Sequence, residues 1–457
     1  MPIFNSNPSQ PFVKLLEKIF SVCYYVPRFI TAKGIVSTFF WLPADYNVKS
    51  FNKHAALDLI RFSGDGISRT DLADQMGLTR AAVSLIVKEL LESNVVQEAE
   101  SRSAPSGRPP IVLAINPKGG LVGAIDMGAT HMTVALADFA AIIHREMESP
   151  LDIKDGPEIC LAKAEQILHR MLEQEGLTTA HLSAVGVGVP GPVITEAGMV
   201  VAPPIMPGWD RYPIRASLEK IWNCPVTLNN DAELGALGEW AYGAGRGEKN
   251  IAYIKVGSGV GAGLILNKQI YGGTTGAAGE IGHLTIDENG PLCNCGNHGC
   301  LEAFAGGHAI AKQGQALAKS GKRTLLADLP AEKITALEVA EAARRGDLHA
   351  QEILRRSGTY IGIAIAGLIN LFNPSVVIIG GGVAQVGDML TTPIRQAVRE
   401  RAMRASEQGV RITAAMLGRR SVLMGAIVQA VNVAIHAAAE NRNSTSKAVL
   451  MEPFEVN

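Results

Sequence analysis

A histidine and three cysteines in one short segment constrain this chain more than any other feature. His283 precedes Cys293, Cys295 and Cys300, in the pattern Cys-x-Cys and then Cys after four residues. Thiolate sulfur and imidazole nitrogen are preferred zinc ligands, so the spacing predicts a tight knuckle around one structural ion with no open coordination position. The alternatives are free thiols or a disulfide, and His298 competes with His283 as the nitrogen ligand.

Composition narrows the class of protein. The chain has 457 residues, of which 47% are hydrophobic, and this length suggests two or three domains of a soluble α/β protein. Its net charge of -1 means that a nucleic-acid partner must bind a local basic surface. The remaining cysteines, Cys23, Cys160 and Cys224, are scattered, which fits a reducing cytoplasm better than a disulfide framework.

Residues 1–50 differ from the rest of the chain. The segment 12–42 is rich in Phe, Tyr and Ile, but charged side chains interrupt it. A spanning helix needs about 20 apolar residues in a row, so we expect no transmembrane segment here. We expect a poorly ordered extension, or translated sequence upstream of a true start near Val48. A flexible tail is expected at 441–457.

Residues 51–117 have the pattern of a helix-turn-helix. Apolar residues at helical spacing predict a first helix near Lys53 to Phe62. Ser68 then caps a second helix, Gly77 ends it, and Thr79 caps a third. Two helices joined by such a turn are typical of DNA-binding domains.

The third predicted helix is the candidate recognition helix. Its outer face would meet base edges and phosphates in the major groove, whereas the alternative is a helical hairpin with a solvated polar face. Val95–Val96 and Ile111–Leu113 predict two short strands around a Ser/Gly/Pro-rich loop, as in a winged helix. Arg108 in that loop is a candidate minor-groove contact or a solvated arginine. The candidate DNA-binding residues are Ser68, Arg69, Thr79, Arg80, Ala81, Ser84, Lys88 and Arg108.

In residues 118–457 the sequence pattern changes, and it predicts short apolar strands followed by glycine turns. A strand from Leu121 runs into an Asp-x-Gly-x-Thr turn, and two further strands run into turns that begin near Gly257 and Gly380. One such turn is weak evidence, because glycine also serves simple connections. Three turns after β-branched strands predict a two-lobed α/β fold with a ligand cleft. The candidate nucleotide-binding residues are Asp126, Gly128, Thr130, Gly257, Ser258, Gly259, Gly261 and Gly381.

Asn230 and Asp231 stand at another strand end, before a helix predicted from Leu234 to Tyr242. A carboxylate in a cleft can remove the proton from a sugar hydroxyl as that hydroxyl attacks a phosphate. The alternative is that Asp231 caps the helix, a role compatible with either function.

Together these motifs resemble the ROK family of repressors and kinases, from Lys53 to the helices after Met424. The resemblance rests on the helix-turn-helix, the Asp126 turn, Asn230-Asp231, the Gly257 turn, Glu280-x-x-His283 and the cysteine knuckle with Leu301-Glu302. It implies a winged helix-turn-helix followed by a two-lobed actin-like or hexokinase-like body. It also implies that a hexose-like sugar is held by Gly191, Asn230, Asp231, Glu280, His283 and Glu302. One ring nitrogen of His283 would then bind zinc while the other contacts the sugar.

The first phosphate turn departs from the pattern of the family's kinases. Those kinases carry Asp-x-Gly-Gly-Thr-Lys, whereas this chain has Ala129 and His131 in place of the second glycine and the lysine. An added methyl and a mostly neutral ring disfavour binding of ATP. The alternative, an ATP- and magnesium-dependent sugar kinase with Asp231 as its base, remains open, alone or combined with DNA binding.

Family members with a fused helix-turn-helix are usually sugar-responsive repressors of carbohydrate genes, of the xylose or N-acetylglucosamine type. The resemblance therefore implies a cytoplasmic homodimer or tetramer that binds operator DNA and a sugar or sugar-phosphate effector. Closure of the lobes on the sugar would alter either the dimer or the linker Glu98–Pro117 and would move the recognition helices out of register. A third possibility is a partner protein that sequesters the repressor.

Overall fold

The computed structural model describes residues 30–31, 34–35, 48–100 and 111–440 of the chain. The expectations for Arg108, for the tail 441–457 and for most of residues 1–50 lie outside these residues. Strand β1 (Ile30–Thr31) pairs antiparallel with β2 (Gly34–Ile35).

Three helices then pack around a common apolar core. They are α1 (Val48–Phe62), α2 (Arg69–Met76) and α3 (Arg80–Glu92). The Ser68 hydroxyl accepts a hydrogen bond from the Asp71 amide at 3.1 Å, and the Thr79 hydroxyl accepts one from the Ala82 amide at 3.2 Å. Gly77 ends α2 with a φ of 65°, in the left-handed region that favours glycine. Both predicted caps and the predicted turn are confirmed, although α1 begins before the predicted Lys53.

An antiparallel strand pair follows the helices. Strand β3 (Val96–Glu100) pairs with β4 (Ile111–Ile115), and Ile67 forms a bridge to Leu113 beside them. The described residues of the expected linker Glu98–Pro117 lie mainly in these two strands, in agreement with the strand predicted at Ile111–Leu113. The Asn116 side chain also donates to the Asn94 carbonyl oxygen at 3.0 Å, which fastens the end of β4 to the unit.

The first lobe of the body is built on a mixed sheet. Within residues 111–440, this sheet has five strands in the order β11-β8-β5-β6-β7. Its elements are β5 (Leu121–Met127), β6 (His131–Asp138), β7 (Ile143–Pro150), α4 (Pro157–Gln174), β8 (Leu182–Val189), β9 (Val193–Ile194), β10 (Met199–Val200), α5 (Ile214–Trp222) and β11 (Val226–Asn230). Strands β5, β8 and β11 run parallel, so their carboxyl ends meet at one edge.

The second lobe contains a sheet of the same size, in the order β14-β13-β12-β15-β16 within the same described range. Its elements are β12 (Ile251–Val256), β13 (Val260–Leu266), β14 (Gln269–Ile270), α7 (Leu301–Ala305), α8 (Gly307–Ala318), α9 (Ala336–Arg344), α10 (Leu348–Phe372), β15 (Val376–Gly380), α11 (Asp388–Arg401), α12 (Arg404–Glu407) and β16 (Arg411–Ala414). Strands β12, β15 and β16 are parallel.

Two helices lie between the sheets. Helix α6 (Asp231–Tyr242) packs on β12 and β13, and α13 (Ser421–Glu440) packs on β5 and β8. The helices cross so closely that a Cβ on Gly425 would overlap the Leu234 carbonyl oxygen. This arrangement confirms the predicted two-lobed α/β fold, with α6 beginning three residues before the predicted Leu234.

Helix α13 is long and apolar enough to span a membrane by length and composition, and it is the one such helix among the described residues. Its apolar window is 61% buried inside the protein. A core helix between two sheets has the same composition, because it is apolar on all sides. We therefore assign α13 to the core.

Helix α1 joins the three-helix unit to the body. The Lys53 ammonium donates to the Ala439 carbonyl oxygen at 3.0 Å, and the Arg61 guanidinium donates to that of Val428 at 2.8 Å. The Phe62 ring meets the Trp240 ring edge-on, with centroids 5.2 Å apart. Since Trp240 belongs to α6, the unit rests on both helices that separate the lobes.

A buried histidine lies at this joint. His54 stacks on His436 with centroids 4.1 Å apart, and burial, then the charges of His436 and Lys53, lower its pKa to about 3. The Glu440 carboxylate lies 3.2 Å from His54 Nε2, but it is partly exposed and so screened by solvent. A lowered pKa contributes stability that is present above the unfolded value of 6.5 and is lost as pH falls toward 3.

We expect acidification from pH 7 to 5 to remove roughly 2 kcal/mol of unfolding free energy through this residue. His54→Asn should flatten that pH dependence, as measured by denaturant unfolding at both pH values. His169→Asn is the control, because its side chain is 55% exposed. Equal pH slopes in the wild type and His54→Asn would contradict the assignment.

Candidate functional site

A cleft of about 420 Å³ lies between the lobes. It is located where the carboxyl ends of the parallel strands meet, which is the usual position of ligand sites in α/β sheets. The structure brings together on its wall every predicted sugar residue, namely Gly191, Asn230, Asp231, Glu280, His283 and Glu302. These residues come from both lobes, so closure of the cleft would change their separation.

Asn230, rather than Asp231, caps helix α6. Its side-chain oxygen accepts hydrogen bonds from the amides of Ala232 at 2.8 Å and Glu233 at 3.3 Å. Its amide group donates to the Gly191 carbonyl oxygen at 2.9 Å. The suggestion that Asp231 caps the helix is therefore wrong, because Asp231 is the first residue of the helix itself. Asn230 fixes the shape of the cleft wall.

Lys255 is a cleft residue that sequence reasoning missed. Its ammonium lies 2.5 Å from the Asp231 carboxylate. Burial opposes the charge of Lys255, but Asp231 and Asp126 outweigh burial and raise the pKa of the lysine. The signal was present in the sequence, since a lysine interrupts the otherwise apolar strand β12 just before the glycine turn. The pairing occupies the carboxylate that a kinase would use as its base.

Asp126 lies behind this ion pair at the end of β5. Burial, opposed by the charge of Lys255 and aided by the charges of Asp231 and Glu148, raises the pKa of its carboxyl to about 6. In the adjoining turn, the Gly128 amide donates to the His131 carbonyl oxygen at 2.9 Å. Burial also lowers the pKa of His131, which keeps its ring neutral at pH 7.

The second glycine turn forms another part of the cleft wall. Gly257, Ser258, Gly259 and Gly261 all line it, and Ala129 reaches it from the first turn. Gly381, from the third turn, abuts the end of β12, where an added Cβ would lie 2.5 Å from the Val256 carbonyl oxygen. Of the candidate nucleotide residues, Asp126, Gly128 and Thr130 belong to the first turn or its preceding strand, and the others surround the end of β12.

The predicted metal ligands converge. The ligand atoms of His283, Cys293, Cys295 and Cys300 all lie within 4.8 Å of one another. Cys295 Sγ and Cys300 Sγ are 3.7 Å apart, and Cys293 Sγ is 3.6 Å from His283 Nδ1. Tetrahedral zinc with zinc–sulfur distances of about 2.3 Å places sulfurs about 3.8 Å apart. The donor set and its spacing fit a metal ion.

Backbone contacts shape the knuckle. Thr285 forms an antiparallel β-bridge with Cys300, and Leu292 forms another with His298. The Cys293 amide donates to the Asn297 carbonyl oxygen at 2.8 Å. The alternative ligand His298 lies outside the cluster, because its Nδ1 faces the Gly290 carbonyl oxygen at 3.3 Å. The four side chains therefore converge through local chain geometry.

The His283 ring joins the cysteine cluster to the cleft. Its Nδ1 faces Cys293, while its Nε2 lies 3.9 Å from the Glu280 carboxylate on the cleft wall. Burial raises the pKa of Glu280, with His283 opposing the shift. The nearby Glu302 carboxylate accepts a hydrogen bond from the Val260 amide at 3.1 Å, so it also braces the glycine turn.

The predicted recognition residues lie on the open face of α3. Arg80, Ala81, Ser84 and Lys88 are exposed. Leu85 is 55% exposed on the same helix, although sequence reasoning did not single it out. Ser68 and Thr79 use their hydroxyls as helix caps, and Arg69 forms a 2.6 Å ion pair with Glu98.

Comparison with known proteins finds the model of the ROK family matched over residues 122–432. The xylose repressor of Caldicellulosiruptor bescii is 30% identical over 386 residues, which is 84% of this chain and 96% of that protein. A ROK family transcriptional regulator described as a homologue of the E. coli MLC protein has 28% identity and a TM-score of 0.74. That match covers 86% of this chain and 98% of that one. A ROK family glucokinase from Streptomyces griseus, in complex with glucose and AMPPNP, has 29% identity and a TM-score of 0.60. That second structural match covers 68% of this chain and 99% of the glucokinase chain.

Proposed function

Because the chain belongs to the ROK family, we propose that it is a sugar-responsive transcriptional repressor. Residues 51–117 would form its winged helix-turn-helix domain and 118–457 its sugar-binding body, in the cytoplasm. The observation that carries the proposal is that one helix, α6, begins in the cleft and ends against the helix-turn-helix unit. The match to a xylose repressor across nearly its whole length supports it.

In the proposed site, His283, Cys293, Cys295 and Cys300 would hold a structural zinc ion. Bound zinc would supply rigidity, because coordination would hold the three thiolates and the imidazole in one fixed arrangement. The fold of the chain leaves His283 Nε2 on the cleft side of the ring, near Glu280. Zinc would thereby position a sugar contact without contacting the sugar.

Sugar recognition would depend on the carboxylates and the histidine at the cleft wall. Hydroxyl-rich neutral ligands need several aligned acceptors and donors, and one carboxylate can accept from two adjacent hydroxyls. Glu280, Glu302 and His283 offer these groups from the second lobe, while Asp231 offers another from the start of α6. A sugar bridging these residues would favour a closed arrangement of the lobes.

Helix α6 would carry this change to the DNA-binding unit. Its first residue, Asp231, lies in the cleft, and Trp240 near its other end contacts Phe62 of α1. A ligand shifts such an equilibrium only to the extent that it binds one arrangement better. A coupling of about 1 to 3 kcal/mol between sites is typical.

The DNA-bound form would be a homodimer. Two copies of α3 about one helical turn apart would then contact successive major grooves of a palindromic operator. Because the chain carries a net charge of -1, attraction to DNA would depend on the local set formed by Arg80 and Lys88. Arg108 would add a minor-groove contact.

A gel-shift titration tests the proposed function. Operator fragments captured by the purified protein would be released by at least one sugar of a panel, with D-xylose the first choice because of the named relative. Glu280→Gln should keep operator binding and lose the release, because it removes a charged acceptor from the cleft. Operator affinity unaltered by every sugar would contradict the proposal.

Sugar kinase activity is expected to be absent. The ion pair with Lys255 holds the Asp231 carboxylate, and the first phosphate turn carries Ala129. A coupled assay for ADP should show no turnover near the rates of about 1 to 100 per second that kinases reach. Turnover that Asp231→Ala abolishes would instead establish the kinase function.

A further inference from the structure

A second cavity of about 570 Å³ lies apart from the sugar cleft. Both lobes line it, together with α6 and α13 and with Arg61 from α1 of the DNA-binding unit. Pockets of about 300 to 1,000 Å³ are typical of small-molecule sites. The cavity is therefore large enough for a ligand that would contact all three parts of the molecule.

Among the residues that line the cavity, several have buried polar atoms without hydrogen-bond partners. Within the described part of the chain, these are Thr227 Oγ1, Asn229 Oδ1, Asn432 Oδ1, Arg61 Nε and Arg215 Nε. Buried polar groups in proteins are nearly always hydrogen-bonded, so a cluster of unpartnered ones indicates a missing partner. Asn229 is only 5% exposed, and its amide already donates to Glu233 at 3.2 Å. Its oxygen has no hydrogen-bond partner within the described part of the protein.

The polar groups of the residues that line the cavity indicate the chemical class of that ligand. It offers acceptors on Thr227, Asn229 and Asn432 and donors on both arginines. The carboxylates Glu196, Glu219 and Glu233 line the same cavity as the two arginines, so the wall has no excess of positive charge for an anion. Burial raises the pKa of Glu233, which adds a possible donor in its protonated form. Hydroxyl groups satisfy donors and acceptors alike.

We propose that this cavity is a second binding site, for a neutral polyhydroxylated molecule of monosaccharide size. Its ligand would touch the loop 272–276, which continues directly to Glu280 and His283 of the cleft. It would also touch Arg61, whose guanidinium holds the Val428 carbonyl oxygen of α13 at 2.8 Å. An effect of this ligand on operator binding would rest on the proposed function, whereas binding of the ligand to the cavity does not.

Calorimetric titration of the full chain with D-xylose, D-glucose and xylitol tests the proposal. Asn432→Leu places an apolar side chain in the cavity and should weaken binding of at least one probe by tenfold or more at one site. Glu280→Gln, in the cleft, should leave that site unchanged. If the cleft binds no sugar, the cavity should still bind a probe, and Asn432→Leu should still weaken that binding. Failure of the proposed function can therefore be told apart from failure of this proposal.

Thr227→Val removes one hydroxyl at nearly constant volume and provides a second variant if Asn432→Leu does not fold. Circular dichroism and a thermal melt check each variant before titration. No binding by any of the three probes, or binding that both cavity variants leave unchanged, would overturn the proposal. A crystal structure of the complex with the bound probe in this cavity would support it.

Discussion

Replacing Cys300 with serine is expected to abolish the sugar response while leaving operator binding intact. Cys300 is fully buried, and its sulfur lies 3.7 Å from that of Cys295. A hydroxyl is a poor zinc ligand, so the ion should be lost and the His283 ring should lose its fixed orientation. Changes next to a metal ligand typically cost 10- to 100-fold in affinity or activity, and we expect sugar affinity to fall by at least about that much.

Three measurements check this result. Elemental analysis should show about one zinc per chain in the wild type and none in Cys300→Ser, calorimetry should show weakened sugar binding, and gel shifts should show retained operator binding. Cys224→Ser is the matched control, because Cys224 is half-buried in the first lobe and lies outside the cluster. Metal-free protein with wild-type sugar affinity would refute the link between ion and cleft.

Replacing Arg80 with alanine is expected to weaken operator binding while leaving sugar binding unchanged. Arg80 is exposed at the first position of α3, where a recognition helix contacts bases or phosphates. Loss of a bidentate arginine contact to a base costs about 1 to 3 kcal/mol, which is roughly 5- to 150-fold in operator affinity. Sugar binding should not change, because Arg80 lies far along the chain from the cleft residues and outside its wall.

Gel shifts on operator and on scrambled DNA separate two roles for Arg80. A base contact relaxes specificity at one position, whereas a phosphate contact weakens binding to both sequences and reduces the salt slope by about one. Arg323→Ala is the control, because Arg323 is an exposed arginine of the second lobe. Unchanged operator affinity in Arg80→Ala would show that α3 is not the recognition helix.

Features that depend on neighbouring residues were predictable from the chain alone. The caps at Ser68 and Thr79 and the turn at Gly77 each join residues within one or two helical turns, so their spacing is visible in the sequence. The cysteine knuckle is equally local. The family resemblance supplied the set of cleft residues, and the structure brings that set together.

Features that depend on distant residues were missed or misjudged. Lys255 was overlooked because its significance comes from Asp231, a residue on another element. Asp231 was considered as the helix cap, but Asn230 takes that role while its amide group donates to Gly191, a residue distant in the chain.

The order of residues alone determined the helix caps, the glycine turns and the clustering of Cys293, Cys295 and Cys300, because hydrogen bonds and chain geometry over a few residues are enough to specify them. Only the tertiary structure decided that α6 spans from the cleft to Phe62, and that Arg61 reaches a cavity lined by both lobes. These contacts arise when apolar surfaces far apart in the chain are buried together. Such burial is non-directional and has no short sequence pattern.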